Sequence, residues 1–118
     1  IEPGTLIRGT AGSSLVVDVD GKLVAEGTEA QPIVFTSAVK TSGSWGGLVF
    51  VGEAVANVGT GMAEGFPSMP PSYGGSDAAH DCGSLSYVRV EWAGFEVTPG
   101  NELNGITWYA CGSATKAS

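Results

Sequence analysis

The chain has 118 residues, 42% hydrophobic and only 14% charged, which is enough apolar material for one folded domain and too little length to call for two. Twelve acidic side chains against five basic ones give a net charge of -7, which disfavours nucleic acid and anionic lipid, whose phosphates need clustered Lys and Arg. No apolar run approaches the roughly 20 residues that a membrane-spanning helix requires.

Nineteen glycines and six prolines divide the chain into short runs filled by β-branched and aromatic residues, an all-β composition. Residues 1–9, IEPGTLIRG, put a Pro-Gly corner between two apolar stretches. SLVVDV at 14–19 leads into Asp20-Gly21, the pair that most readily takes positive φ in a tight, hairpin-like turn, and then into 22–25. In PIVFTS at 32–37 the period of two puts Ile33 and Phe35 on one face and Val34 and Thr36 on the other. WGGLVFVG at 45–52 alternates Leu48 and Phe50 with Val49 and Val51, apolar on both faces, as in a strand covered on both sides.

Residues 56–80 hold five glycines and three prolines without alternation and read as a long loop insertion. Met62, Phe66, Met69 and Tyr73 within it suit an apolar lid or a partner contact. Two strand runs follow, 85–92 and 105–111, joined by a corner at 94–101 and edged by Cys82 and Cys111, the two cysteines of the chain. No segment has helical periodicity with caps. Short strands recurring at roughly 15 to 25 residues, each ended by glycine, are the pattern of a stacked solenoid.

The phrases IEPGTLIRG, LVAEGTEAQPIVFTSA, SWGGLVFVG, YGGSDAAHDCGSLSYVRVEWAGFEV and NELNGITWYACGSAT resemble, in that order, right-handed parallel β-helix repeats of secreted and surface-anchored bacterial proteins, nearest to those of delta-proteobacteria and similar Gram-negative groups. The resemblance implies an all-β, right-handed parallel β-helix over 1–118 and a secreted or cell-surface location. It also implies a piece of a longer solenoid or assembly, in which other coils or subunits cover the open ends. Ile1 is not an initiator Met, so a missing leader does not argue for the cytoplasm. In such a fold neighbouring coils lie about 4.8 Å apart, so Cys82 and Cys111 can reach each other, and a disulfide closing about 30 residues contributes about 3 to 4 kcal/mol.

Candidate chemistry is sparse. His80 and Asp81 are adjacent and point to opposite faces of an extended segment, which suits a turn better than a base and its carboxylate. Two cysteines and one histidine fall short of a four-ligand zinc shell. Glu91, Asn101, Glu102 and Asn104 offer hard oxygens of the kind calcium selects; the carboxylates can equally pair with Arg89 or cap the corner. Trp92, Phe95, Trp108 and Tyr109 are candidates for stacking on sugar rings, or are packing residues. Asp18, Glu91, Glu96 and Glu102 are the carboxylates a glycoside-cleaving site would draw on, while the low count of Lys and Arg argues against cleavage of acidic polysaccharide.

The reading that follows is a non-catalytic extracellular or cell-surface scaffold or adhesion module with no cofactor, calcium aside. Two alternatives stay open: a carbohydrate-binding or polysaccharide-cleaving β-helix, and a filament subunit that stacks end to end.

Overall fold

A computed structural model describes residues 1–66, 70–98 and 101–118, without the side chains of Thr98, Asn101 and Glu102. The described elements are all strands, wound into three coils. The first coil carries β1 (Leu6–Gly9), β2 (Leu15–Val17) and β3 (Leu23–Glu26). The second carries β4 (Ile33–Ser37), β5 (Leu48–Val51), a small hairpin of β6 (Gly61–Met62) and β7 (Ser72–Tyr73), and then β8 (Gly83–Ser86). The third carries β9 (Val88–Val90), a hairpin of β10 (Glu96–Thr98) and β11 (Asn101–Glu102), then β12 (Ile106–Tyr109) and β13 (Lys116–Ala117).

Strands of successive coils pair in parallel to give three sheets, ordered β1-β4-β9, β2-β5-β12 and β3-β8-β13. Each sheet thus takes one strand from every coil. Three coils at about 4.8 Å, with their side chains, account for the shortest molecular extent of 19 Å.

Alternation decides what points inward. Ile7, Phe35 and Val90 form one column through the coils, Leu15, Leu48 and Ile106 another, Val17, Phe50 and Trp108 a third, and Ala25, Leu85 and Ala117 a fourth. The middle coil supplies the fully buried members, Ile33, Phe35, Leu48 and Phe50, with Trp45 wedged at the corner between the first two sheets. At about 25 cal/mol per Å² of apolar surface, such residues carry most of the stabilisation. The Trp45 indole N–H donates to the Glu91 carbonyl at 2.7 Å, so it also ties the second coil to the third.

The double-sided burial read for 45–52 is present. Leu48 and Phe50 face the interior, while Val49 and Val51 face out beneath Leu103, Phe66, Tyr73 and Val97. Phe66 and Tyr73 therefore form a lid over the second sheet; Met62 stays 66% exposed and Met69 lies outside the described residues.

Three local readings need correction. The run 85–92 is two strands of different coils, broken at Tyr87, whose φ of 47° turns the corner between β8 and β9. Asp20-Gly21 is not in a hairpin: β2 and β3 belong to different sheets, and the corner is closed by the Gly21 N–H donating to the Asp18 carbonyl at 2.9 Å. In a solenoid each strand finds its partners in the coils above and below, so consecutive strands need not pair. Segment 56–80 is not patternless throughout, since it contains the β6–β7 hairpin.

Close stacking of coils makes glycine obligatory at some crossings. A Cβ on Gly83, at φ 126°, would strike the Leu23 carbonyl of the first coil. The expected Cys82–Cys111 disulfide is formed, joining the entry to β8 in the second coil to the exit of β12 in the third, with Cα atoms 5.7 Å apart.

Candidate functional site

The outer face of the first sheet is concave. Because Ile7, Phe35 and Val90 point in, their neighbours Leu6, Arg8, Val34, Thr36 and Arg89 point out. With Lys40 and Glu91 they line a cleft of about 440 Å³. Three of the five cations of the chain, Arg8, Lys40 and Arg89, meet there. Among the described residues, Glu91 is the carboxylate lining the cleft, and the Arg89 Nε holds its Oε2 at 3.3 Å.

A second, more apolar cleft of about 600 Å³ adjoins the first and shares Arg8, Ser37 and Ala38 with it. Val39 and Phe95 supply its larger apolar side chains. Phe95 is positioned by its N–H, which donates to the Trp45 carbonyl at 3.0 Å, and its carbonyl accepts the Leu103 N–H at 2.9 Å. Its ring lies against Gly12 of the first coil.

The other nominated aromatics are dispersed. Trp108 points inward and stacks on Phe50, ring centroids 4.2 Å apart. Tyr109, the next residue of the strand, points outward under the lid, stacked on Tyr73 at 4.9 Å, and its hydroxyl accepts the Glu64 N–H at 3.2 Å. Burial pushes its phenol pKa up. Trp92 has φ 62°, and its carbonyl accepts the Ser44 N–H at 2.9 Å. Of the four, Phe95 alone lines either cleft.

The nominated calcium oxygens are only partly in view. Glu91 is held by Arg89, Asn104 is an exposed residue before β12, and the side chains of Asn101 and Glu102 lie outside the described residues. Among the described residues, no group of three or more His, Cys, Asp or Glu is arranged to hold a metal ion.

His80 and Asp81 have separate partners. His80 is buried with Nδ1 4.0 Å from Asp77 Oδ2, whereas Asp81 Oδ2 accepts from Lys22 Nζ at 2.9 Å and its Oδ1 from the Gly83 N–H at 2.8 Å. The Lys22 contact, then the Gly83 N–H, hold the Asp81 carboxyl below the usual aspartate range. A folded-state pKa below the unfolded one gives stabilisation that is present above the unfolded value and is lost as pH falls through the folded one. Lys22→Ala is expected to move the Asp81 titration, followed by carboxyl carbon NMR, up toward the ordinary range; an unchanged midpoint would remove Lys22 as the cause.

Sequence reading missed the cleft because its cations, at positions 8, 40 and 89, stand in three different coils or corners and nothing in their spacing marks them. The findable signal was the outward parity of Arg8 and Arg89 in their strands, once the coil boundaries were known.

Three coils sharing three parallel sheets define the molecule as a parallel β-helix protein. It belongs to the pectate-lyase like beta helix domain family, whose model matches residues 1–118. No match is found among curated proteins or among solved structures.

Proposed function

We propose that this chain is a non-catalytic β-helix module of an extracellular or cell-surface scaffold, and that the outer face of its first sheet adheres to acidic polysaccharide. The observation that carries this is the convergence of Arg8, Lys40 and Arg89 on one cleft of a chain whose net charge is -7. An acidic surface elsewhere repels polyanions, so the cleft is where uronate carboxylates gain contacts. The low overall count of Lys and Arg matters less than their placement. Family membership supports a polysaccharide ligand, and the disulfide supports an oxidising location.

Glu91, already engaged by Arg89, lacks the second carboxylate at about 5 to 10 Å that glycoside hydrolysis uses, among the described residues lining the cleft. That favours adhesion over hydrolysis. Calorimetric titration at low salt should give binding of oligogalacturonate and none of neutral galactan. Lys40→Gln with Arg89→Gln is expected to weaken it about tenfold, from roughly 0.7 kcal/mol per exposed ion contact. Equal affinity for the neutral polymer, or polymer cleavage abolished by Glu91→Gln, would overturn the reading.

A further inference from the structure

The middle coil sets the standard for the interior: Phe35, Leu48 and Phe50 are fully shielded because a coil lies on either side of each. Their column partners on the outer coils are not shielded. Leu15 of the first coil is 38% exposed, and Ile106 and Trp108 of the third are 38% and 37% exposed. The first-coil and third-coil strands also form the outer edges of all three parallel sheets. Such edges are templates for further strands.

The two end faces match each other in register. Continuing each column by one strand spacing, about 4.8 Å, sets the first coil of a second copy on the third coil of this one. Ile7 then meets Val90, Leu15 meets Ile106, Val17 meets Trp108 and Ala25 meets Ala117, so these four inner columns stay apolar. On the outside, the Glu91 N–H donates to the Phe35 carbonyl at 2.8 Å, which aligns Glu91 with Thr36 and hence with Arg8. A second copy's Arg8 therefore lands beside Glu91, opposite in charge. The remaining outer neighbours, Leu6 on Arg89, Val16 on Thr107 and Val24 on Lys116, bring no like charges face to face.

We infer that this chain stacks head to tail on copies of itself, first coil on third coil, in the register of its own sheets. The described flanks of the third coil's insertion lie over the side of the solenoid: Phe95 reaches Gly12 of the first coil, and Val97 and Leu103 pack near Val49 and Val51. One group must give way. The Ile1 ammonium donates to the Val24 carbonyl at 2.8 Å on the first-coil face. In the stack, a second copy's Ala117 N–H takes that carbonyl, continuing the alternation by which the Ser118 N–H donates to the Leu85 carbonyl at 2.9 Å. A head-to-tail contact that repeats along the solenoid axis does not close on itself, so it builds filaments rather than dimers. The contact shares Arg8 and Glu91 with the first-sheet cleft, so the test is made without polysaccharide, and stacking would join successive clefts into one groove.

The test is sedimentation velocity of the 118-residue chain across a wide concentration range. The expected result is a mass that rises with concentration without reaching a limit. Arg8→Glu and Glu91→Arg, each a surface change checked by circular dichroism, are expected to weaken association several-fold when made singly and to restore it when combined. A monomer at every concentration, a limiting dimer, or a combined variant no better than the single ones would each overturn the inference; the monomer would leave the end faces to further coils of a longer polypeptide.

Discussion

Replacing Cys82 and Cys111 together by alanine is expected to lower the stability of the chain by about 3 to 4 kcal/mol, the chain-entropy value for a cross-link across 29 residues. The bond acts chiefly on the unfolded ensemble, but its location gives a second, local effect. In the third coil, β12 and β13 each pair on one side only, with β5 and β8, so that coil has half the ladder partners of the middle one. The disulfide anchors it to the second coil, assisted by Thr115, whose hydroxyl accepts the Cys82 N–H at 2.9 Å and donates to the His80 carbonyl at 3.1 Å. Urea unfolding of the double variant should therefore show the loss, and amide exchange should accelerate first in Ile106–Tyr109 and last in the strands of the second coil. Cys82 is fully buried, so alanine also removes a sulfur from the core. Reduced wild-type protein keeps that atom and separates the two contributions: it should lose nearly as much as the double variant. A loss below about 1 kcal/mol in the reduced protein would mean that the cross-link constrains little.

The parts of this fold that the sequence makes legible are those set by local pattern. Alternation in residues 33–37 and 48–51 gives the buried faces correctly, because a period of two is enough to assign Phe35 and Phe50 to one side. The cysteine pairing follows once the solenoid is granted, since stacked coils bring distant positions within reach. What alternation cannot reveal is a corner that uses no glycine. Tyr87 turns between β8 and β9 at φ 47°, and Ala110 and Trp92 also take positive φ, so runs that look continuous are cut by residues with no turn signature. Those hidden corners decide which sheet a residue joins. Alternation alone sends Trp108 and Tyr109, adjacent in one strand, to the interior and the lid rather than a shared platform, and Trp45, in what looks like a strand, fills a corner of the core between Gly43 and Gly47, both at positive φ. The cleft depends on the same information. Arg8, Lys40 and Arg89 converge only after three coils are wound in register, a long-range condition that composition hides behind a net charge of -7.

Phe50→Ala is the single substitution expected to cost most, about 3 to 5 kcal/mol, the range for truncating a fully buried aromatic where the surroundings cannot collapse. Phe50 lies between Val17 and Trp108 in the central column of the middle coil and is completely inaccessible. Its ring stacks on Trp108, interplanar angle 17°, a pairing worth about 0.5 to 1.5 kcal/mol beyond its area. Leu48 stands in the neighbouring column and belongs to a strand hydrogen-bonded on both sides, so the backbone cannot close over the void. Trp108→Ala removes the larger ring but from a site already 37% exposed, and should cost less than Phe50→Ala in dilute solution. That ordering separates central-coil burial from ring size, and the reverse ordering in urea unfolding would show that the interior is not organised about the middle coil. The comparison also bears on assembly. If copies stack, Trp108 is covered by a neighbour's Val17, so the cost of Trp108→Ala should grow with protein concentration while that of Phe50→Ala, buried within one molecule, grows less.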